Sequence, residues 1–302
     1  MFITALIVGI LTAQPIQQAR DTRTPQTDQT VTVARGARLT VNNFAGEVNI
    51  KAWDRDQLRV QARHGARAKV NVRQTANAVV ISSDTNGAVS VDYEINAPAW
   101  MPIKVEGTYN FITVEGTQSD ISGETVRGDV VIKGGNGIIV AKSIQGAVSV
   151  EGARGRITVS SVNEGARVSA SSGDVTAETT NGSISLTKMN SPNVEATTVN
   201  GNVAYDGTVA DNGRYRFATH NGTITATIPA EANATFNVRT YNGEFVTNLN
   251  LAGPPRSEAR RGRRLSYTLG SGSAEMEMES FGGSIRIQRS GSTSTGSKDK
   301  ED

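Results

Sequence analysis

The chain has 302 residues, 37% of them hydrophobic and 5% aromatic, with 31 glycines and no cysteine. Without cysteine there is no disulfide scaffold, no thiolate metal site and no thiol nucleophile. Lysine and arginine number 31 against 29 acids, a formal charge of +2, which is too balanced for a dedicated nucleic-acid binder.

Residues 1–14 read MFITALIVGILTAQ, an apolar run from Phe2 to Leu11 with no charge before Arg20. About ten apolar residues are half of what a hydrocarbon core requires. The run has the length of a secretory h-region, and Ala13 or Ala19 supplies a small residue for cleavage. Residues 1–19 are therefore expected to be a signal peptide and 20–30 a polar, flexible leader. A buried N-terminal strand is the competing reading of the same run. Export predicts a secreted, periplasmic or cell-surface protein with no transmembrane anchor in the mature chain.

Val31, Val33, Leu39, Val41, Val48 and Ile50 alternate with polar residues, which is the period of a half-buried strand. Further strands are expected at 58–62, 68–72, 79–81 and 89–95. Residues 31–106 are expected to form an N-terminal β layer that caps the open edge of the next strands. Pro98 and Pro102 flank Trp100 and interrupt the pattern.

From Gly107 a repeat takes over. Asn181-Gly182, Asn200-Gly201, Asn221-Gly222 and Asn242-Gly243 recur at intervals of about twenty residues, with half-period glycines at Gly128, Gly137, Gly155 and Gly173. The second and fourth residues after each glycine are apolar, as in Val130 and Ile132, Val148 and Val150, Ile157 and Val159, or Ile184 and Leu186. Each period thus predicts two short strands and two corners, the glycines supplying a positive φ. After Gly165 the apolar pair is read as Val168 and Ala170, one place late, which predicts a bulge or an extra corner residue. No segment carries a helical stripe.

Asn-Gly between alternating runs also signals hairpins, so a meander competes. Constant repeat length, short strands and few aromatics favour a β-solenoid of turns of about 20 residues, its thin core filled by Val, Ile and Ala rather than rings. The expected fold class is all-β: one solenoid domain over 31–289, with repeats from 107, and a disordered Ser/Gly tail at 290–302.

The progression Val41-Asn42-Asn43 to Gly46-Glu47-Val48-Asn49-Ile50, the interruption at Pro98 to Pro102, and the units Thr180-Asn181-Gly182-Ser183-Ile184, Val199-Asn200-Gly201-Asn202-Val203 and Tyr241-Asn242-Gly243-Glu244-Phe245 resemble the bacterial putative-adhesin family of domains of unknown function. The resemblance covers about residues 31–288. It implies a secreted or envelope-associated β-solenoid and carries no catalytic residues across.

Chemistry is sparse. A glycosidase needs two acids about 5 to 9.5 Å apart. Asp129 and Asp174 are the candidates on stacked turns, yet most acids sit singly at corners. Gly134-Gly135-Asn136-Gly137 lacks the aspartate of a calcium nonapeptide, since Ile139 stands in its place. His64 and His220 form no metal set, and no phosphate-binding loop occurs. The expectation is a non-enzymatic protein with no cofactor and no metal. The segment PPRSEARRGRR places Arg256, Arg260, Arg261, Arg263 and Arg264 in one loop, a candidate contact for anionic or glycan groups because each guanidinium offers a planar fork of donors. A solvated loop accounts for the same residues. Trp53 and Trp100 are read either as exposed sugar platforms or as caps on the N-terminal core. The expected function is envelope or surface binding of a glycan, lipid head group or surface protein. The alternatives are a carbohydrate-active enzyme on the same scaffold and a structural component that self-associates through an open solenoid end.

Overall fold

The computed structural model describes residues 27–85, 89–254, 262 and 264–291. The expected signal peptide, most of the leader and nearly all of the tail lie outside them. Twenty-four strands and no helix occur among the described residues, and the chain folds as the expected β-solenoid. Each turn lays one strand on a first sheet and one on a second, and both sheets are parallel. On the first, Ile121, Ile139, Ile157, Val175, Val194 and Tyr215 are successive register partners. On the second, Ile112, Val130, Val148, Ala166, Ile184, Val203 and Ile224 stack likewise. All of these side chains are buried. Side chains alternate across a strand, so residues two apart share the core, and the residues between them line the outer face.

The turn is 18 residues long from Ile121 to Val175, then 19 to Val194 and 21 to Tyr215. The lengthening accompanies a wider core. Contrary to the expectation of a core without rings, Tyr205, Tyr215, Phe217 and Phe236 are fully buried there, and Tyr205 lies against Tyr215 and Phe217 with ring centroids 5.7 and 5.3 Å away.

The order of turns in space departs from their order in sequence at both ends. Arg38–Trp53 forms a turn that Ile103–Glu115 covers on one side, while Ala78–Thr85 and Val91–Pro98 cover it on the other. Antiparallel strands Ala68–Gln74 and Gln57–His64 close that end, with Thr27–Thr32 outermost. At the far end, Ala274–Ser280 and Ile285–Arg289 pair with Arg214–Asn221 and Ile224–Ile228 on one side. On the other side they pair with Ala234–Thr240 and Phe245–Thr247. The last turn in sequence therefore fills a gap left by the two before it, and Leu265–Leu269 closes the first sheet by running antiparallel to Ala234–Thr240.

The corner from first sheet to second sets the spacing. Gly182, Gly201, Gly222 and Gly243 do not take the positive φ expected of them. Their constraint is space: a Cβ at Gly201 would strike the carbonyl of Gly182, and one at Gly222 that of Gly201. Three residues before each corner glycine stands a buried hydroxyl. Ser143 donates to the Gly128 carbonyl at 2.8 Å, Thr198 to Gly182 at 2.9 Å, Thr219 to Gly201 at 2.8 Å and Ser280 to Gly222 at 2.9 Å. At the first corners asparagines serve instead, Asn43 Nδ2 donating to Asn110 Oδ1 at 2.7 Å. Outside this ladder runs an exposed one of amides, Asn221 to Asn200 at 2.8 Å and Asn200 to Asn181 at 2.9 Å.

Neither the bulge nor the extra corner residue expected after Gly165 occurs. That glycine stands one place later than its counterparts, Glu164 occupies the stacked position under Gly182, and Ala166 and Val168 point inward in unbroken register. Ala170 instead ends the strand at φ 48°.

The corner and the buried phenols each have a measurable consequence for stability. Gly201→Ala forces the stack apart and costs about 1–3 kcal/mol, read as a lowered urea midpoint, whereas Thr219→Ser keeps the hydroxyl and leaves the midpoint nearly unchanged. Burial pushes the Tyr93 phenol up to about 12 and raises those of Tyr205 and Tyr215 as well. A phenol that keeps its proton longer in the fold than in the unfolded chain, where it titrates near about 10, stabilises the fold fully below that pH and progressively less above it. The phenolate absorbance that belongs to these three buried rings is expected to appear together with the loss of strand circular dichroism, above about pH 10.

Candidate functional site

The outer face of the first sheet carries the hydroxyls of Thr158, Ser160 and Thr176 in its middle turns and becomes charged toward the far end. Alternation turns Arg214 and Arg216 outward while Tyr215 and Phe217 between and beyond them fill the core. Their register neighbours are Asn193 and Glu195 on one side and Glu275 and Glu277 on the other. With Arg156, Asp174 and Thr176 these residues line an open groove of about 610 Å³ across five turns.

Arg216 is the hub of the groove. Its guanidinium lies 3.1 Å from Glu195 and 3.9 Å from Glu277, and Glu277 is also held by Arg264 at 2.6 Å. Asn193 donates to Asp174 at 2.8 Å. Carboxylates and guanidiniums thus alternate along the solenoid axis at the strand spacing of about 4.8 Å. Such a face offers acceptors and donors together, the requirement for holding hydroxyls, and its charges largely cancel.

Of the five arginines singled out in the sequence, Arg264 sits at the rim of this groove through Glu277; Arg256, Arg260, Arg261 and Arg263 lie outside the described residues. Asp129 and Asp174 do not come together. The Asp129 carboxylate accepts the Ala147 backbone N–H at 2.8 Å and Asp174 belongs to the groove. His64 meets Thr27 at 3.2 Å, and His220 stacks on Phe281 at 4.7 Å. Among the described residues no three His, Asp or Glu side chains are placed to hold a metal ion together. Trp53 and Trp100 are half-buried rather than exposed platforms. Their indole N–H groups donate to the Gln57 carbonyl at 2.6 Å and to Asp56 at 2.7 Å, which ties down the turn between the strands that carry Trp53 and Gln57.

The groove was invisible in the sequence because Arg214 and Arg216 lie about sixty residues from Glu275 and Glu277. Only the out-of-order last turn brings them together. A charged triplet alternating with Met276 and Met278 was the available signal.

Fold and face together define a parallel β-solenoid that carries a polar, charge-compensated groove on one sheet. The Toastrack DUF4097 family model matches residues 36–288, and the chain belongs to that family. A crystal structure of a putative adhesin from Bacteroides fragilis is 12% identical, covers 86% of this chain and 96% of its own, and has a TM-score of 0.46. One of a putative cell adhesion protein from Clostridium sporogenes is 10% identical, covers 87% of this chain and 99% of its own, and has a TM-score of 0.19. No curated protein matches the chain. No helix among the described residues is long and apolar enough to cross a membrane.

The Arg216 network is exposed, and exposed ion pairs contribute little. Arg216→Gln is expected to change unfolding stability by less than about 1 kcal/mol, as measured by urea denaturation, which leaves the groove free to be altered without harm to the fold.

Proposed function

We propose that this is an exported, non-catalytic binding protein of the cell surface or envelope whose groove on the first sheet engages a glycan. The observation that carries the reading is the alternation of Asp174, Glu195, Arg214, Arg216, Glu275 and Glu277 along a rigid stack. A hydroxyl-rich chain lying along the solenoid axis meets a donor or an acceptor at each strand. Carboxylates already paired to guanidiniums are suited to accepting sugar hydroxyls and poorly suited to delivering a proton to a glycosidic oxygen. Arg264 at the rim extends the donor set, and Arg256, Arg260, Arg261 and Arg263 add to it when the ligand carries anionic groups. Export rests on the apolar run at Phe2 to Leu11.

The test is a binding screen of the protein against envelope glycans, with a product assay on the same polysaccharides. Saturable binding without products is expected, weakened about tenfold or more by R214S together with R216S. Released oligosaccharides would make the protein an enzyme and the non-catalytic reading wrong. Binding that survives both substitutions would move the site away from the groove.

A further inference from the structure

The floor of the groove on the first sheet carries two charged rows, and they differ in how far they are closed. The row through Glu195, Arg216 and Glu277 is tied together by the ion pairs of Arg216 and Arg264. The row beside it runs, in register order, Arg156, Asp174, Asn193, Arg214 and Glu275. In this row Asp174 accepts from the Asn193 amide at 2.8 Å, and Glu275 accepts from that of Asn237 at 3.4 Å. Every carboxylate lining the groove is thus engaged by a donor of its own chain. Two guanidiniums are not. Among the described residues, those of Arg156 and Arg214 have neither a hydrogen bond nor an ion pair, although Asp174 and Glu275 are their register neighbours.

A guanidinium without a protein partner keeps its planar fork of donors and its charge open to a ligand. Arg156 and Arg214 stand on one row three strand steps apart, about 14 Å, and the hydrogen-bonded pair of Asp174 and Asn193 lies between them. A chain lying along the solenoid axis over this row meets a cation, then two groups that exchange hydrogen bonds with hydroxyls, then a second cation. A neutral glycan satisfies only the middle of the row. From this we infer that the ligand of the groove is an acidic glycan, its carboxylate or phosphodiester groups seated on Arg156 and Arg214 and its hydroxyls on Asp174 and Asn193. The inference rests on the reading of the groove as a glycan site, and adds the charge of the glycan and the two residues that select it.

Charge elsewhere in the groove is compatible with this placement. The four arginines of the groove and its rim balance its four carboxylates, so no net field repels a polyanion. An anion seated on Arg216 instead would have to displace Glu195, 3.1 Å from that guanidinium, and would face Glu277 at 3.9 Å. Arg156 and Arg214 ask for no such exchange. A guanidinium pairs with a carboxylate or a phosphate through two parallel bonds, which fixes the ligand's orientation at both ends of the row. Both arginines are exposed, so salt screens their attraction and the preference for charge is expected to weaken as salt rises.

The test titrates the full chain with a linear polymannuronate and with the methyl ester of the same polymer, which keeps the hydroxyls and removes the charge. A phosphodiester-bridged mannan is the third arm, and whichever acidic polymer binds tighter identifies the anion. The protein is expected to bind an acidic polymer about tenfold or more tighter than the ester. That advantage should shrink as salt rises from about 0.1 M to about 1 M and the Debye length falls from about 10 to about 3 Å. R156Q together with R214Q should weaken binding of the acidic polymer, leave that of the ester and leave the urea midpoint unchanged. R167Q together with R286Q removes the same charge from the outer face of the second sheet and should leave the preference intact. Equal affinity for acid and ester, a preference that survives R156Q with R214Q, or one that R167Q with R286Q abolishes equally would overturn the inference while the glycan reading stands. Binding confined to neutral envelope glycans would do the same, whereas no binding to any glycan, acidic or neutral, would remove both.

Discussion

Backbone at one corner touches backbone at the next, and the rest of the architecture depends on that contact. Strands stacked at about 4.8 Å leave no room for a Cβ between the carbonyl of Gly182 and the residue above it at Gly201. The contact fixes glycine at that place and turns its carbonyl inward. A buried carbonyl requires a donor, and the hydroxyl three residues earlier on the next turn supplies it, as Thr219 does for Gly201. With the corner fixed, alternation assigns every other side chain of both strands to the core or to the surface. One short-range steric demand therefore sets the period, the register and the two faces together.

Much of this was legible because glycine spacing and apolar alternation are local signals. The β-solenoid, the strands from Gln57–His64 to Val91–Pro98 and the inward pairs from Val130 onward could all be read that way. The half-period glycines Gly128, Gly137, Gly155 and Gly173 take the positive φ expected of them, whereas the role of the Asn-Gly corner glycines was misread, since a dihedral requirement and a space requirement select the same residue. The recurrent Ser/Thr three places before glycine, visible at Ser143, Thr179, Thr198 and Thr219, was the clue to the second. The rings of Tyr205, Tyr215 and Phe217 were missed because turn length and core width grow together, and neither alone announces it. The groove was not legible at all. Its two sides come from stretches about sixty residues apart, and only Asp174 in its wall and Arg264 at its rim were singled out from the sequence.

A solenoid converts sequence positions into columns, and each column of this one has its own chemistry. The outward column that passes through Glu195, Arg216 and Glu277 is ionic, the corner column through Ile144 and Val199 is apolar, and the column through Asn181, Asn200 and Asn221 is amide on amide. Because each turn contacts only its neighbours, such columns can change independently. The charged groove reaches into the turns where the core is widest, so that Arg214 and Arg216 stand outward over the buried rings of Tyr215 and Phe217.

The displaced last turn gives the far end a particular history. A ribosome delivers residues 214–228 and then 234–247, yet these two stretches have no strand partners in each other until 274–289 arrive between them. The exposed edge of the growing stack waits for the final segment, whereas the middle turns can close as soon as each is made. Closure at that end is thus a single event that joins residues far apart in the chain, slower in kind than the local zippering behind it. Afterwards the same feature acts as a lock, because Ala234–Thr240 cannot peel away without first breaking its bonds to the strand inserted beneath it.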